Sequence, residues 1–172
     1  MSGTSEPVTG GGFDVRTAWR RGDPGIEADA IAMWTRLGVL PKDVRPEDRA
    51  KQLVAAAYQG ERLAAVCTAV IEPIPFLRAR FLVLRSLTDP DFRRSHAQIA
   101  LALPVKDILE EWAKANPEEN VAGVIGFVEP GAWGEFAQLP VAPIWAWTLV
   151  AYTHDGHQVR AVWFDHYRLE AS

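Results

Sequence analysis

The chain has 172 residues, 48% of them apolar and seven of them tryptophan, which excludes a chain disordered throughout and suffices for one domain with a real core. A net charge of −4 and a pI near 5.6 exclude the clustered basic surface that binding nucleic acid requires. One cysteine forms no internal disulfide, and no apolar run approaches the roughly 20 residues of a membrane helix, so a cytoplasmic protein without a membrane partner is expected.

Residues 1–12 are polar and glycine-rich and read as a mobile tail, leaving 13–172 as a single domain. Over 13–19, Phe13, Val15, Thr17 and Trp19 alternate as in a half-buried strand. Asp23 followed by Pro24 reads as an N-cap with proline at the first helical position. Ile26, Ala30, Met33, Trp34 and Leu37 then recur at helical spacing until Gly38. Trp34 belongs to that apolar stripe, so the core is the better placement for it than a ligand cleft. Pro46, Glu47 and Asp48 open a short helix, and residues 53–58 either finish it or form a strand. The apolar run 63–71 has the length and composition of a central strand, with Cys67 as a small core residue inside it.

Glu72-Pro73-Ile74-Pro75 is expected to break that run as a turn, because proline donates nothing to a ladder. A strand over 76–87 follows, with Arg78, Arg80 and Arg85 along it, then a tight turn at Asp89-Pro90-Asp91 and the pair Arg93-Arg94. The next helix is expected over 95–116, kinked or broken near 100–103 because Pro104 lies inside it. Residues 121–128 read as a buried strand interrupted by Gly123 and Gly126. The chain closes with strands over 144–153 and 158–167 about the turn Asp155-Gly156, the strongest hairpin signal present. Trp145, Trp147, Leu149 and Ala151 are expected on one face of the first of these strands. His154 and His157 flank that turn without any zinc spacing, so no metal is expected.

A strand, a turn and a helix start beside two arginines make a ready anion site, since the first amides of a helix point outward unpaired. Pro90, Phe92, Arg93 and Leu101 resemble the P-x-[FY]-R-x-x-G-x-G/A-x-x-L turn after the fourth strand of the GNAT superfamily, the general N-acetyltransferases. The two glycine positions of that pattern fall on His96 and Gln98; a register counted from Arg94 puts them on Ala97 and Ile99. The resemblance implies a mixed α/β fold. Its central sheet would be mostly antiparallel, of six to seven strands, with a parallel fourth and fifth strand splayed in the middle and helices on both faces. Residues 53–58 would then be a strand.

The resemblance further implies an N-acyltransferase that uses acetyl-CoA or another acyl-CoA and transfers to a small-molecule or peptide amine, with a homodimer as a common assembly. The pantetheine arm would lie on the main chain at Leu84, Ser86 and Leu87, where Gly123 and Gly126 on the neighbouring strand allow close approach. The pyrophosphate would lie on Arg93, Arg94, Ser95, His96, Ala97 and Gln98. Two outcomes stay open for the arginines: they bind the diphosphate through their side chains, or they pair with Asp89 and Asp91. Glu72 is the nearest acidic group to act as a base, and a solvated loop carboxylate is the plainer reading of it. After the fifth strand the family has a helix patterned N-x-x-A-x-x-x-Y, whose tyrosine protonates the departing thiolate. Residues 130–143 have neither the asparagine nor the tyrosine. A second reading follows from that gap: a GNAT-fold protein without acyl transfer, acting as a ligand-binding or protein-binding module.

Overall fold

The computed structural model describes residues 12–169, so the tail expected over 1–12 lies outside the described residues apart from Gly12. In chain order the elements are β1 (Asp14–Thr17), α1 (Pro24–Leu37), α2 (Pro46–Ala50), β2 (Leu53–Gln59), β3 (Arg62–Ile74), β4 (Ala79–Thr88) and α3 (Ala97–Ala115), followed by β5 (Val121–Val128), β6 (Val141–Ala142), β7 (Trp147–Tyr152) and β8 (Gln158–Trp163). Among the described residues the eight strands form one sheet in the order β1-β2-β3-β4-β5-β8-β7-β6. β4 and β5 run parallel, while β1–β2, β2–β3, β5–β8, β7–β8 and β6–β7 are antiparallel. The strand beyond the expected six to seven is β6, two residues between Pro140 and Pro143 and too short to show a period. No helix among the described residues is long and apolar enough to cross a membrane.

Packing divides the chain into two units. One takes the described residues up to Thr68 with Ser86–Val105, the other Ala69–Arg85 and the residues from Lys106 onward, so β3, β4 and α3 contribute to both.

In the first unit α1 forms where its caps dictate. The Asp23 carboxylate accepts the Gly25 and Ile26 N–H groups at 3.0 and 3.1 Å, a cap of the kind that contributes about 1 kcal/mol. Gly38, at φ 61°, takes the left-handed position that ends the helix. The apolar stripe Ile26, Ala30, Met33 and Trp34 is buried against Leu53, Ala56, Tyr58 and Val66 of the β2–β3 hairpin, so Trp34 is a core residue and residues 53–58 are strand. Cys67 is buried, and burial pushes its thiol up to about 12, which makes it unreactive.

In the second unit Phe81, Val83, Ala122, Ile125, Val159 and Ala161 build the core. The β4–β5 ladder ends at Leu84 opposite Gly126, although β4 runs on to Thr88 and β5 to Val128. Gly123 is needed for packing against β8: a Cβ there would lie 2.0 Å from the Val162 carbonyl oxygen. On β7 a bulge at Val150 sets Leu149 opposite Arg160 and Ala151 opposite Val159, and Trp145 lies before the strand, so the four residues expected on one face do not share it.

Two prolines act more mildly than their sequence suggests. β3 continues through Glu72 and Pro73 to Ile74, because proline removes a donor without forbidding extended backbone, and both residues are solvent-exposed there. α3 runs unbroken through Pro104. Leu101, Val105 and Leu109 form a fully buried stripe across it. At about 1.5–3 kcal/mol for each buried side chain, that stripe outweighs the cost of about 3 kcal/mol for an interior proline.

Candidate anion-binding turn

The turn after β4 is anchored by Asp89, a buried carboxylate of the first unit. Its own N–H donates to the Ala64 carbonyl of β3 at 2.8 Å, and its carbonyl accepts the Phe92 N–H at 2.8 Å. Its carboxylate accepts the Asp91 N–H at 2.9 Å and a short hydrogen bond from Arg36 at the end of α1. Burial opposes the charge, but the Asp91 amide and the Arg36 guanidinium outweigh it and hold the carboxyl below the usual range. Phe92 is buried edge-on to Phe13, with the Arg62 guanidinium over its ring at 4.9 Å, and Arg62 also pairs with Asp91 at 2.7 Å.

This arrangement decides the question of the arginine pair. Asp89 takes Arg36 and Asp91 takes Arg62, so neither acid takes Arg93 or Arg94. Arg93 and Arg94 are both exposed, and neither has an ion-pair partner among the described residues. The first hydrogen bond of α3 runs from the Ala100 N–H to the His96 carbonyl at 3.0 Å. The amides of Ala97, Gln98 and Ile99 therefore open the helix with no acceptor among the described residues. Ser95 turns its hydroxyl back onto the Phe92 carbonyl, and Gln98 donates through Nε2 to the Ser86 hydroxyl at 2.9 Å, tying the helix start to the end of β4. His96, exposed, stands at φ 64°, the left-handed conformation that a glycine adopts without cost. Two cationic side chains and three outward amides thus share one turn, a geometry suited to a phosphate-sized anion. Ser86 and Leu87 lie on β4 past its ladder with β5, while Leu84 is still on that ladder and belongs to the second unit.

No protein-family model matches the chain, and no curated protein does. Solved structures match it. The acetyltransferase of GNAT family from Streptococcus pneumoniae matches at a TM-score of 0.56 and 12% identity, over 88% of this chain and 99% of that one. This chain has the GNAT fold. The ribosomal-protein-S5-alanine acetyltransferase from Vibrio fischeri matches at 0.53 and 13% identity, over 92% of this chain and 96% of that one. N-acetylglutamate synthase from Neisseria gonorrhoeae, solved with coenzyme A and L-arginine, matches at 0.53 and 9% identity, over 90% of this chain and 34% of that longer one. At such identities the likeness is one of fold.

Beside these GNAT structures, the chain's own departures stand out. Glu72 lies on β3 rather than in a turn, and its carboxylate sits 3.9 Å from Arg85 on β4, an exposed pair that leaves it a surface group. Between β5 and β7, where the family has its tyrosine-bearing helix, stand only a 3-10 turn (Gly134–Gln138) and β6. The tyrosine at the heart of the first unit does not replace it. Tyr58 is buried, its hydroxyl donates to Asp29 at 2.7 Å, and burial together with that carboxylate raises its pKa, which makes it a poor proton donor.

The connection is held instead by a residue that sequence reasoning passed over. Arg160 of β8 is fully buried. It donates from Nε to Gln158 at 2.7 Å, from Nη1 to the Trp147 carbonyl at 3.1 Å, and from Nη2 to the Ala137 and Leu139 carbonyls at 3.1 and 2.9 Å. The Trp133 ring faces its guanidinium at 5.5 Å. The signal available was a lone arginine between Val159 and Ala161 in an apolar strand.

Proposed function

We propose that the protein is a GNAT-type N-acyltransferase whose Pro90–Leu101 turn holds the diphosphate of an acyl-CoA. The observation that carries this reading is the coincidence of unpaired amides at Ala97, Gln98 and Ile99 with two arginines that no acid of the turn engages. Arg93 and Arg94 supply charge through their side chains, the helix start supplies directional donors, and Ser95, His96, Ala97 and Gln98 line the approach. The main chain at Ser86 and Leu87 receives the pantetheine arm. Coenzyme A in the Neisseria gonorrhoeae structure supports this choice of ligand class.

A thioester supplies a carbonyl that an uncharged amine attacks directly. The N–C bond forms, the C–S bond breaks, the amine gives up a proton and the thiolate takes one. Little activation is needed, so holding the two partners together carries most of the rate. The acceptor is an amine of a small molecule or peptide. A second reading has its own observation: the β5–β7 connection carries no tyrosine and no α-helix, so the proton donor that the family uses for the thiolate is missing there. On that reading the turn binds CoA and no transfer follows.

Calorimetric titration with acetyl-CoA and with CoA tests the site. Micromolar binding is expected, weakened about tenfold or more for each of Arg93→Ala and Arg94→Ala, as for the loss of a charged hydrogen bond. No heat at millimolar ligand overturns the site. Binding without CoA release across a screen of amines supports the second reading over the first.

A further inference from the structure

Two acids stand in the turn after β4, Asp89 and Asp91, beside the two arginines Arg93 and Arg94. Pairing within the turn would be the shortest route to charge balance, and it would close the anion site. The chain balances the acids from elsewhere in the first unit. Arg36 at the end of α1, 53 residues from Asp89, takes the Asp89 carboxylate. Arg62 at the start of β3, 29 residues from Asp91, takes the Asp91 carboxylate at 2.7 Å. Two arginines from outside the turn thus match the two acids inside it, and Arg93 and Arg94 are left over.

This match has no reserve. The Asp89 carboxylate also accepts the Asp91 N–H at 2.9 Å and feels the Arg62 guanidinium, so it holds its charge although it is buried. Arg36, Arg62 and Asp89 line a concavity of about 470 Å³ in the first unit. The other charged residues lining it, Asp29 and Glu61, are acids and offer Asp89 no replacement cation. Without Arg36, either Asp89 stands unpaired or Arg62 moves over to it and strands Asp91. In both cases one carboxylate of the turn loses its partner. An unpaired charge beside two uncommitted arginines draws them in.

We propose that Arg36 is a positioning residue of the anion site: by holding Asp89 it keeps Arg93 and Arg94 open to the diphosphate. This role rests on the acyl-CoA reading of the turn, and it places control of the turn's charge on α1. A brace and a counter-charge differ in one respect. If Arg36 only braces the turn, removing Asp89 as well takes away a second brace and makes matters worse. If Arg36 neutralises Asp89, removing both restores the balance.

Calorimetric titration with CoA of the native protein, Arg36→Met, Arg36→Lys and the double variant Arg36→Met with Asp89→Asn separates the two. Arg36→Met should weaken CoA about tenfold, the scale of one charged contact. The double variant should return to within about threefold of the native protein, because asparagine keeps an acceptor for the Asp91 N–H and carries no charge to draw the arginines. Arg36→Lys restores the counter-charge and should also bind within about threefold of native. Urea unfolding of each variant reports its stability separately, so that a smaller folded fraction is not mistaken for weaker binding. Unchanged CoA affinity in Arg36→Met, or a double variant as weak as Arg36→Met, overturns the role of Arg36 and leaves acyl-CoA binding in place. Native protein that gives no heat at millimolar CoA overturns the acyl-CoA reading, and this role with it.

Discussion

Arg93 and Arg94 on the turn and Arg160 on β8 show two opposite uses of one side chain. Arg160 is fully buried, and four of its donor contacts end on acceptors of the second unit. Its charge meets carbonyl dipoles and an indole face, and no carboxylate among the described residues. Arg93, in the first unit, is exposed with its donors uncommitted, while nearby acids are taken by Arg36 and Arg62. An arginine whose donors are satisfied internally holds a loop in place. One beside uncommitted amides is available to a ligand. What its donors meet separates the two roles, and charge alone does not.

The largest effect expected is on stability. In Arg160→Met the Leu139 and Trp147 carbonyls lose their guanidinium donor, at about 1–3 kcal/mol each, so a loss of about 3 kcal/mol is expected in urea unfolding. Ala137 is partly spared, because Gln158 also donates to its carbonyl at 2.8 Å. Arg93→Ala and Arg94→Ala should move stability by less than about 0.5 kcal/mol, as exposed substitutions do. Similar losses in all three variants would break the comparison.

A smaller effect sharpens it through pH. Among the described residues each unit has one buried carboxylate held below its ordinary range, Asp89 in the first and Glu110 in the second. Burial works against the Glu110 charge, and Lys106 with the Asp165 N–H outweighs it. Because the folded pKa is the lower one, each contributes stability that is present above the ordinary values of 3.8 and 4.5 and is lost as pH falls through the folded pKa. Urea midpoints should therefore drop on acidification below about pH 4.5, and Asp89→Asn or Glu110→Gln should each flatten that slope while costing about 1.5–3 kcal/mol near neutrality. A slope unchanged in both variants would show that other carboxylates govern the acid limb.

Much of the fold was legible because its signals are local. Asp23 with Pro24, Gly38, and the Asp155-Gly156 turn each name an element boundary within a few residues, and Pro90 with Phe92 marks the turn. What escaped was the pairing of distant side chains. Arg36 and Asp89 are 53 residues apart and Glu110 and Asp165 are 55 apart, and no period in a sequence joins them. Which acid meets which arginine is settled only by packing, so the fate of Arg93 and Arg94 could not be read beforehand. Pro73 and Pro104 misled for a different reason: proline forbids a donor, and where burial or solvent makes that donor dispensable the element continues. The left-handed turn at Ile144, Trp145 and Ala146 gave no signal at all, since glycine is the usual marker of that conformation and none is present.

The smallest effect tests the turn itself at His96. A left-handed L-residue costs about 1–2 kcal/mol, and glycine gives back part of that gain through its greater freedom in the unfolded chain. His96→Gly should therefore stabilise the protein by about 0.5–1 kcal/mol. His96→Ala keeps the Cβ and the strain, and should not. The same pair of variants separates obstruction from binding at the helix start. If the His96 side chain merely stands in the path of the anion, glycine and alanine should both tighten CoA, with glycine ahead because it also clears the Cβ from the Ala97–Ile99 amides. If the imidazole is itself a contact, both variants should weaken CoA even as glycine stabilises the fold. A glycine variant no more stable than the alanine one would mean that the turn bears no strain at this position, and that the glycine pattern of the family marks ligand clearance alone.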